Sequence, residues 1–165
     1  MVFSDVYERT IDDKKRIQIP AQFRSNLDPE RHGETFYLTL GERPNTLALY
    51  PDKLFEADAE ELRTDQVSGD DALTFEQLYY SLASRLEMDK QGRVVLPERQ
   101  LSLVELGSEI TLAGAGLRID IWSTAQYREF VKQTVTSRWS DMHQFRRRML
   151  ERRANRGAAD GIKER

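Results

Sequence analysis

Two arginines, Arg16 and Arg93, each follow an aspartate by four residues, Asp12 and Asp89, inside short polar runs. The first run is Asp12-Asp13-Lys14-Lys15-Arg16 and the second is Asp89-Lys90-Gln91-Gly92-Arg93. Each leads into an apolar stretch closed by proline, Ile17-Gln18-Ile19-Pro20 and Val94-Val95-Leu96-Pro97. A guanidinium can hold a guanine edge or a phosphate through two hydrogen bonds, so Arg16 and Arg93 are the first candidates for touching an anionic polymer. Lys14, Lys15 and Lys90 suit single phosphate contacts, and Arg24 is a further cation just after the first run. The spacing equally allows each arginine to pair with its own aspartate, a common surface contact that contributes little. Both readings hold together if Asp12 and Asp89 orient the arginines.

Catalysis finds little support. His32 and His143 have no partner at metal or triad spacing, and no glycine-rich phosphate loop is present. The absence of cysteine removes disulfides, thiolate chemistry and the common structural zinc sites. The acidic pairs Asp12-Asp13 and Asp70-Asp71 fall in turns, where capping accounts for them. Neither an enzyme, a metal, a cofactor nor a small-molecule substrate is therefore expected. A net charge of -3 argues mildly against a nucleic-acid partner. The charge is uneven, however: Arg138 to Arg165 holds nine Lys or Arg against four Asp or Glu, leaving -8 on the remainder. No window approaches the roughly 18 apolar residues that span a bilayer, and no signal peptide is seen, so a cytoplasmic protein without a membrane partner is expected.

The elements around the cationic runs repeat. Tyr7 to Asp12 and Arg16 to Pro20 read as strands joined by a tight turn, with Ile11, Ile17 and Ile19 inward and Gln18 outward. A short helix from Ala21 to Leu27 follows, then strands at Thr35 to Leu40 and Thr46 to Tyr50 around Gly41-Glu42-Arg43-Pro44-Asn45. Pro51-Asp52 opens a helix with Leu54, Phe55 and Leu62 as its apolar face. After a break at Ser68-Gly69-Asp70-Asp71, a second helix carries Phe75, Leu78, Tyr79 and Leu82. The plan then returns: strands Arg85 to Asp89 and Arg93 to Pro97, a helix from Glu98 to Leu106 capped by Gly107, and strands Glu109 to Ala113 and Arg118 to Trp122. A last helix starts near Thr124, with Tyr127, Phe130, Val131 and Val135 expected to pack. It runs on through Trp139, Met142, Phe145 and Met149, and the chain is expected to fray beyond Arg152. The Arg146-Arg147-Arg148 run reads as a solvated helical end, and Trp122 and Trp139 as core or subunit contacts.

An internal repeat makes the chain two similar units: residues 1–66, a helical linker at 67–83, residues 84–137, and a basic tail at 138–165. Units of about 70 residues have thin cores, so they are expected to pack on each other or on further copies.

On these residues the chain resembles the MraZ family of bacterial transcription regulators, from about Tyr7 to about Phe130. The marks are Asp12…Arg16 with Ile17-Gln18-Ile19-Pro20 and Asp89…Arg93 with Val94-Val95-Leu96-Pro97, two copies 77 residues apart. The resemblance implies a mainly β fold with α (α+β): two tandem AbrB-type swapped-hairpin units forming a pseudo-two-fold double-split β-barrel, with a helical linker and a C-terminal helix. It also implies a nucleoid-associated repressor of the cell-division and cell-wall gene cluster. Such a protein binds direct repeats in double-stranded promoter DNA as a ring-like homo-oligomer. The first turn departs from the family pattern, with Lys15 where glycine is usual. A position favouring positive φ resists lysine, which leaves the shape of the first turn open. An AbrB-type antitoxin or protein-interaction module is the alternative, disfavoured by two units and a basic tail. RNA binding would call for aromatics among the basic residues, and the two turns have none.

Overall fold

The computed structural model describes residues 1–61 and 70–160. The first half comprises β1 (Val6–Thr10), β2 (Arg16–Gln18), α1 (Ala21–Ser25), α2 (Pro29–His32), β3 (Phe36–Leu40), β4 (Leu47–Pro51) and α3 (Asp52–Glu61). Helix α4 (Asp70–Ser81) leads into β5 (Ser84–Leu86), β6 (Arg93–Val95), α5 (Glu98–Leu101), β7 (Glu109–Gly114) and β8 (Ile119–Ser123). Helices α6 (Thr124–Ser137) and α7 (Trp139–Asp160) follow. The fold is mixed α+β and built mainly on antiparallel sheets.

The two strands flanking each cationic turn share no ladder with each other. Instead β1 pairs with β7 and β5 pairs with β3, so the first strand of each half adds to the third strand of the other. The large sheet runs β1-β7-β8-β4-β3-β5, and β2 pairs with β6 in a separate two-stranded ribbon. Exchanging the halves (β1 for β5, β3 for β7, β4 for β8) returns the same order read backwards. The sheet thus has a pseudo-two-fold axis between β4 and β8, and the ribbon has one at its centre.

Burial follows from this exchange. One apolar cluster draws Ile17, Ile19, Phe36, Leu38 and Leu49 from the first half and Val94, Leu96, Ile110, Leu112 and Ile121 from the second. Inward placement of Ile17 and Ile19 is borne out, while Ile11 is only half-buried. Phe3, ahead of the first strand, is fully buried against Phe23, with ring centroids 5.5 Å apart. Phe55 on α3 stacks on Tyr37 at 4.5 Å, and Asp52, also on α3, forms a buried polar knot. The Asp52 carboxylate accepts from Thr35 Oγ1 at 2.6 Å and from Arg85 at 3.0 Å, linking the halves.

Several local expectations change. The segment 29–32 is a helix: Asp28 caps it by accepting from the Glu30 and Arg31 amides, and Pro29 supplies a preset first turn. His32 therefore lies on α2, where its Nδ1 accepts from the Asp28 amide at 2.9 Å. Helix α5 stops at Leu101 rather than reaching Leu106. Leu78 on α4 is exposed, whereas Tyr79 and Leu82, the latter just past the helix end, are half-buried. Leu62, Ser68, Gly69 and the Phe75 side chain lie outside the described residues.

Residues 1–125 form one compact unit and residues 126–165 another. In the second, Tyr127 and Phe130 are half-buried, but Val131 and Val135 are exposed rather than packed. Trp139, Met142, Phe145 and Met149 are exposed as well. Helix α7 continues to Asp160 instead of fraying beyond Arg152. Its alanines and arginines are good helix formers, which outweighs the single Gly157.

Candidate nucleic-acid interface

Each cationic turn is built around its aspartate. In the first, the Asp12 carbonyl accepts from the Lys15 amide at 2.9 Å, and the Asp12 amide donates to the Arg16 carbonyl at 3.0 Å. Asp12 Oδ1 accepts from the Lys14 and Arg16 amides, both at 2.9 Å. Oδ2 accepts from Arg16 Nε at 2.8 Å, with the terminal nitrogen at 2.7 Å. The second turn repeats every bond. Gly92 donates to the Asp89 carbonyl at 2.8 Å and Asp89 to the Arg93 carbonyl at 2.9 Å. Asp89 Oδ1 accepts from Gln91 and Arg93, and Oδ2 holds Arg93 at 2.8 and 2.7 Å.

The first turn is therefore not reshaped. Lys15 takes φ +59°, close to the +77° of Gly92, and its backbone accepts the left-handed conformation that glycine adopts freely. The bonds converging on Asp12 outweigh that local strain. Lys14, Lys15 and Lys90 stand exposed on the turns. Arg24, which follows the first hairpin, reaches the second turn: its Nε donates to the Ile19 carbonyl at 3.2 Å, and its side chain fills the space a Gly92 side chain would need.

Charge and hydrogen bonding reinforce each other here. The Arg16 side chain, followed by the Arg16 amide, holds the Asp12 carboxyl down to about 2. The Arg93 amide and then its side chain lower Asp89 in the same way. Both aspartates stay ionised at neutral pH. Each carboxylate takes the Nε side of its guanidinium, which leaves the second terminal nitrogen and its two N–H groups pointing away from the ion pair. Orientation by aspartate and contact with an anion are thus chemically compatible.

The ribbon carries both turns. Arg16 lies opposite Val95, Ile17 opposite Val94, and Gln18 opposite Arg93. Side chains alternate along a strand and directly opposed residues share a face. Ile17 and Val94 therefore enter the core, both at most 1% exposed, and the outer face presents Arg16, Gln18, Arg93 and Val95. Two further bonds close the ends, from the Ile19 amide to the Gly92 carbonyl at 2.9 Å and from the Leu96 amide to the Lys15 carbonyl at 2.8 Å. Strand alternation alone places Gln18 outward. Val95 joins it only through the cross-strand register, which local sequence does not contain.

Among the described residues, no group of three or more His, Asp or Glu is placed to hold a metal ion, and no helix is long and apolar enough to cross a membrane. His143 packs its ring against Trp139, 4.7 Å between centroids.

Comparison with known proteins identifies the relatives. The family profile described as "MraZ protein, putative antitoxin-like" matches residues 80–152, a span that reaches well into α7. A "Transcriptional regulator MraZ" from Moorella thermoacetica is 34% identical over 133 residues, covering 81% of this chain and 89% of the relative. The protein of the same name from Carboxydothermus hydrogenoformans is 33% identical over 129 residues, covering 78% and 86%. That from Clostridium tetani is 33% identical over 129 residues, covering 78% and 87%. Similarity over about four fifths of the chain, joined to the duplicated Asp-x-x-x-Arg turns, places the chain in the MraZ family.

Proposed function

We propose that this protein is a sequence-specific DNA-binding transcriptional regulator, acting as a repressor on direct repeats in double-stranded promoter DNA. The observation that carries the reading is the pair of aspartate-oriented arginines on one exposed face of a two-stranded ribbon. An antiparallel ribbon fits the major groove, and arginine donors match the O6 and N7 acceptors of guanine. Lys14, Lys15 and Lys90 flank that face and would meet phosphates. The names of the relatives support a role in transcription. The family resemblance supports the cell-division and cell-wall gene cluster as target and a nucleoid location.

Affinity favours self-assembly. One ribbon meets few phosphates, and each neutralised phosphate contributes a salt slope of only about -0.9. Several copies in a ring-like homo-oligomer, each on its own repeat, raise avidity without new contacts. The test is a gel shift on the DNA upstream of the protein's own gene, at two salt concentrations, with a scrambled duplex as control. Arg16→Ala or Arg93→Ala is expected to abolish preference for the promoter duplex while the oligomer, followed by light scattering, stays intact. Alanine at Lys14, Lys15 or Lys90 is expected to flatten the salt slope by about 0.9 each. Unchanged promoter preference in both arginine variants would refute the reading. The words "antitoxin-like" in the family description favour a second reading, a protein partner held by the same face; the arginine variants would then lose that partner in pull-down without any change in DNA binding.

A further inference from the structure

The two halves of the ribbon have the same backbone and the same arginine, yet they differ at one outward position. The pseudo-two-fold axis relates Arg16 to Arg93 and Gln18 to Val95. One end of the face thus pairs Arg16 with Val95, and the other pairs Arg93 with Gln18. Val95 is 53% exposed, a branched apolar side chain set among cations with its methyl groups toward solvent. Gln18 is anchored differently. Its Nε2 donates to the Gln91 carbonyl at 2.7 Å and to the Gly92 carbonyl at 3.2 Å, on the opposite turn. Two carbonyl acceptors require the amino end of the amide there, which fixes the flip and turns the Oε1 acceptor away from the ribbon.

The outer face therefore displays donor and methyl at one end, donor and acceptor at the other. In the major groove a methyl surface matches the C5-methyl of thymine, and a lone acceptor matches the exocyclic amine of adenine or cytosine. Resting on the DNA-binding reading above, we propose that Val95 and Gln18 are specificity-determining residues. Val95 reads a thymine methyl beside the base held by Arg16, and Gln18 reads an amine-bearing base beside the one held by Arg93. The ribbon then has polarity. It recognises a core that differs from its own reverse complement and sits on the duplex in a single orientation.

The experiment begins with selection from a random-sequence duplex pool by the full-length wild type, Val95→Ala, Val95→Gln and Arg16→Ala. Wild type is expected to enrich a non-palindromic core containing thymine. Each thymine in that core is then replaced by uracil, which removes only the methyl group. Burying one methyl corresponds to about a fourfold change in affinity, so wild type should weaken by about fourfold at a single position. Val95→Ala should be insensitive there, and Val95→Gln, which makes both ends alike, should shift the enriched core toward a palindrome. Thermal melting checks that the substitutions at this exposed position leave the fold intact. If Arg16→Ala loses enrichment while uracil costs wild type and Val95→Ala the same at every position, the proposal is overturned and the DNA reading stands. If wild type enriches no core, or Arg16→Ala enriches the same core as wild type, the DNA reading falls and the proposal with it.

Discussion

Gly92 and Lys15 occupy the same place in two superposable turns, so substitution should act on them with opposite sign. Gly92 lies at φ +77°, where a side chain costs about 1–2 kcal/mol. An added Cβ would lie 2.6 Å from Arg24 Nε and 2.8 Å from Arg24 Cδ. Arg24 must then withdraw, giving up its 3.2 Å bond to the Ile19 carbonyl, a loss of about 1 kcal/mol. Alanine's smaller unfolded-state entropy returns about 0.5–1 kcal/mol, so Gly92→Ala is expected to destabilise by about 1–2.5 kcal/mol. For a chain of this size that lowers Tm by roughly 2–10 °C. Lys15→Gly releases the left-handed strain, and glycine's extra unfolded-state entropy of about 0.5–1 kcal/mol offsets part of the gain. The net is between zero and about +1.5 kcal/mol. Urea titrations and thermal melts at one fixed protein concentration read both values and hold any self-association constant. An unchanged Tm in Gly92→Ala, or a fall of several degrees in Lys15→Gly, would refute the reasoning that backbone conformation decides these two positions.

Two other outcomes test the turns and the tail. Asp12 has its pKa pulled from 3.8 to about 2 in the folded protein, and Asp89 is lowered in the same direction. A depressed carboxyl contributes stability that is complete above its unfolded pKa and disappears as pH falls through the folded one. The doubly substituted Asp12→Asn, Asp89→Asn protein should therefore show a shallower loss of stability between about pH 4 and pH 2, measured as the urea midpoint against pH. Superimposable acid limbs would contradict the ion-pair account. Charge reversal at Arg146, Arg147 and Arg148, all exposed on α7, is expected to leave promoter preference unchanged. Loss of preference in a gel shift would move the interface onto that helix.

Much of the architecture was legible because duplication prints itself twice. The matched Asp-x-x-x-Arg turns, the apolar strands after them and the closing prolines located both cationic tips and their orienting aspartates. Strand partners were not legible. Nothing in Tyr7 to Asp12 says that its ladder lies with β7, since period-two alternation fixes the faces of a strand and leaves its neighbour open. The same gap hid Val95, whose place beside Arg16 depends on a register between residues nearly eighty positions apart. Lys15 left the shape of its turn open for a different reason. Propensity disfavours lysine at positive φ, but four hydrogen bonds on one carboxylate override a local preference. Phe3 was overlooked because it stands outside any periodic segment, and α2 because four residues are too few to show a helical period.

The crossing of the halves in the large sheet has an evolutionary side. An assembly of two identical polypeptides with this topology would have identical fingertips, and any change in one would appear in both. Joining the copies in tandem removes that obligation. One lobe is free to keep glycine and valine while its sibling acquires lysine and glutamine, and the shared interior still forces the pair to fold as a unit. Asymmetry of the exposed face then needs no second kind of subunit.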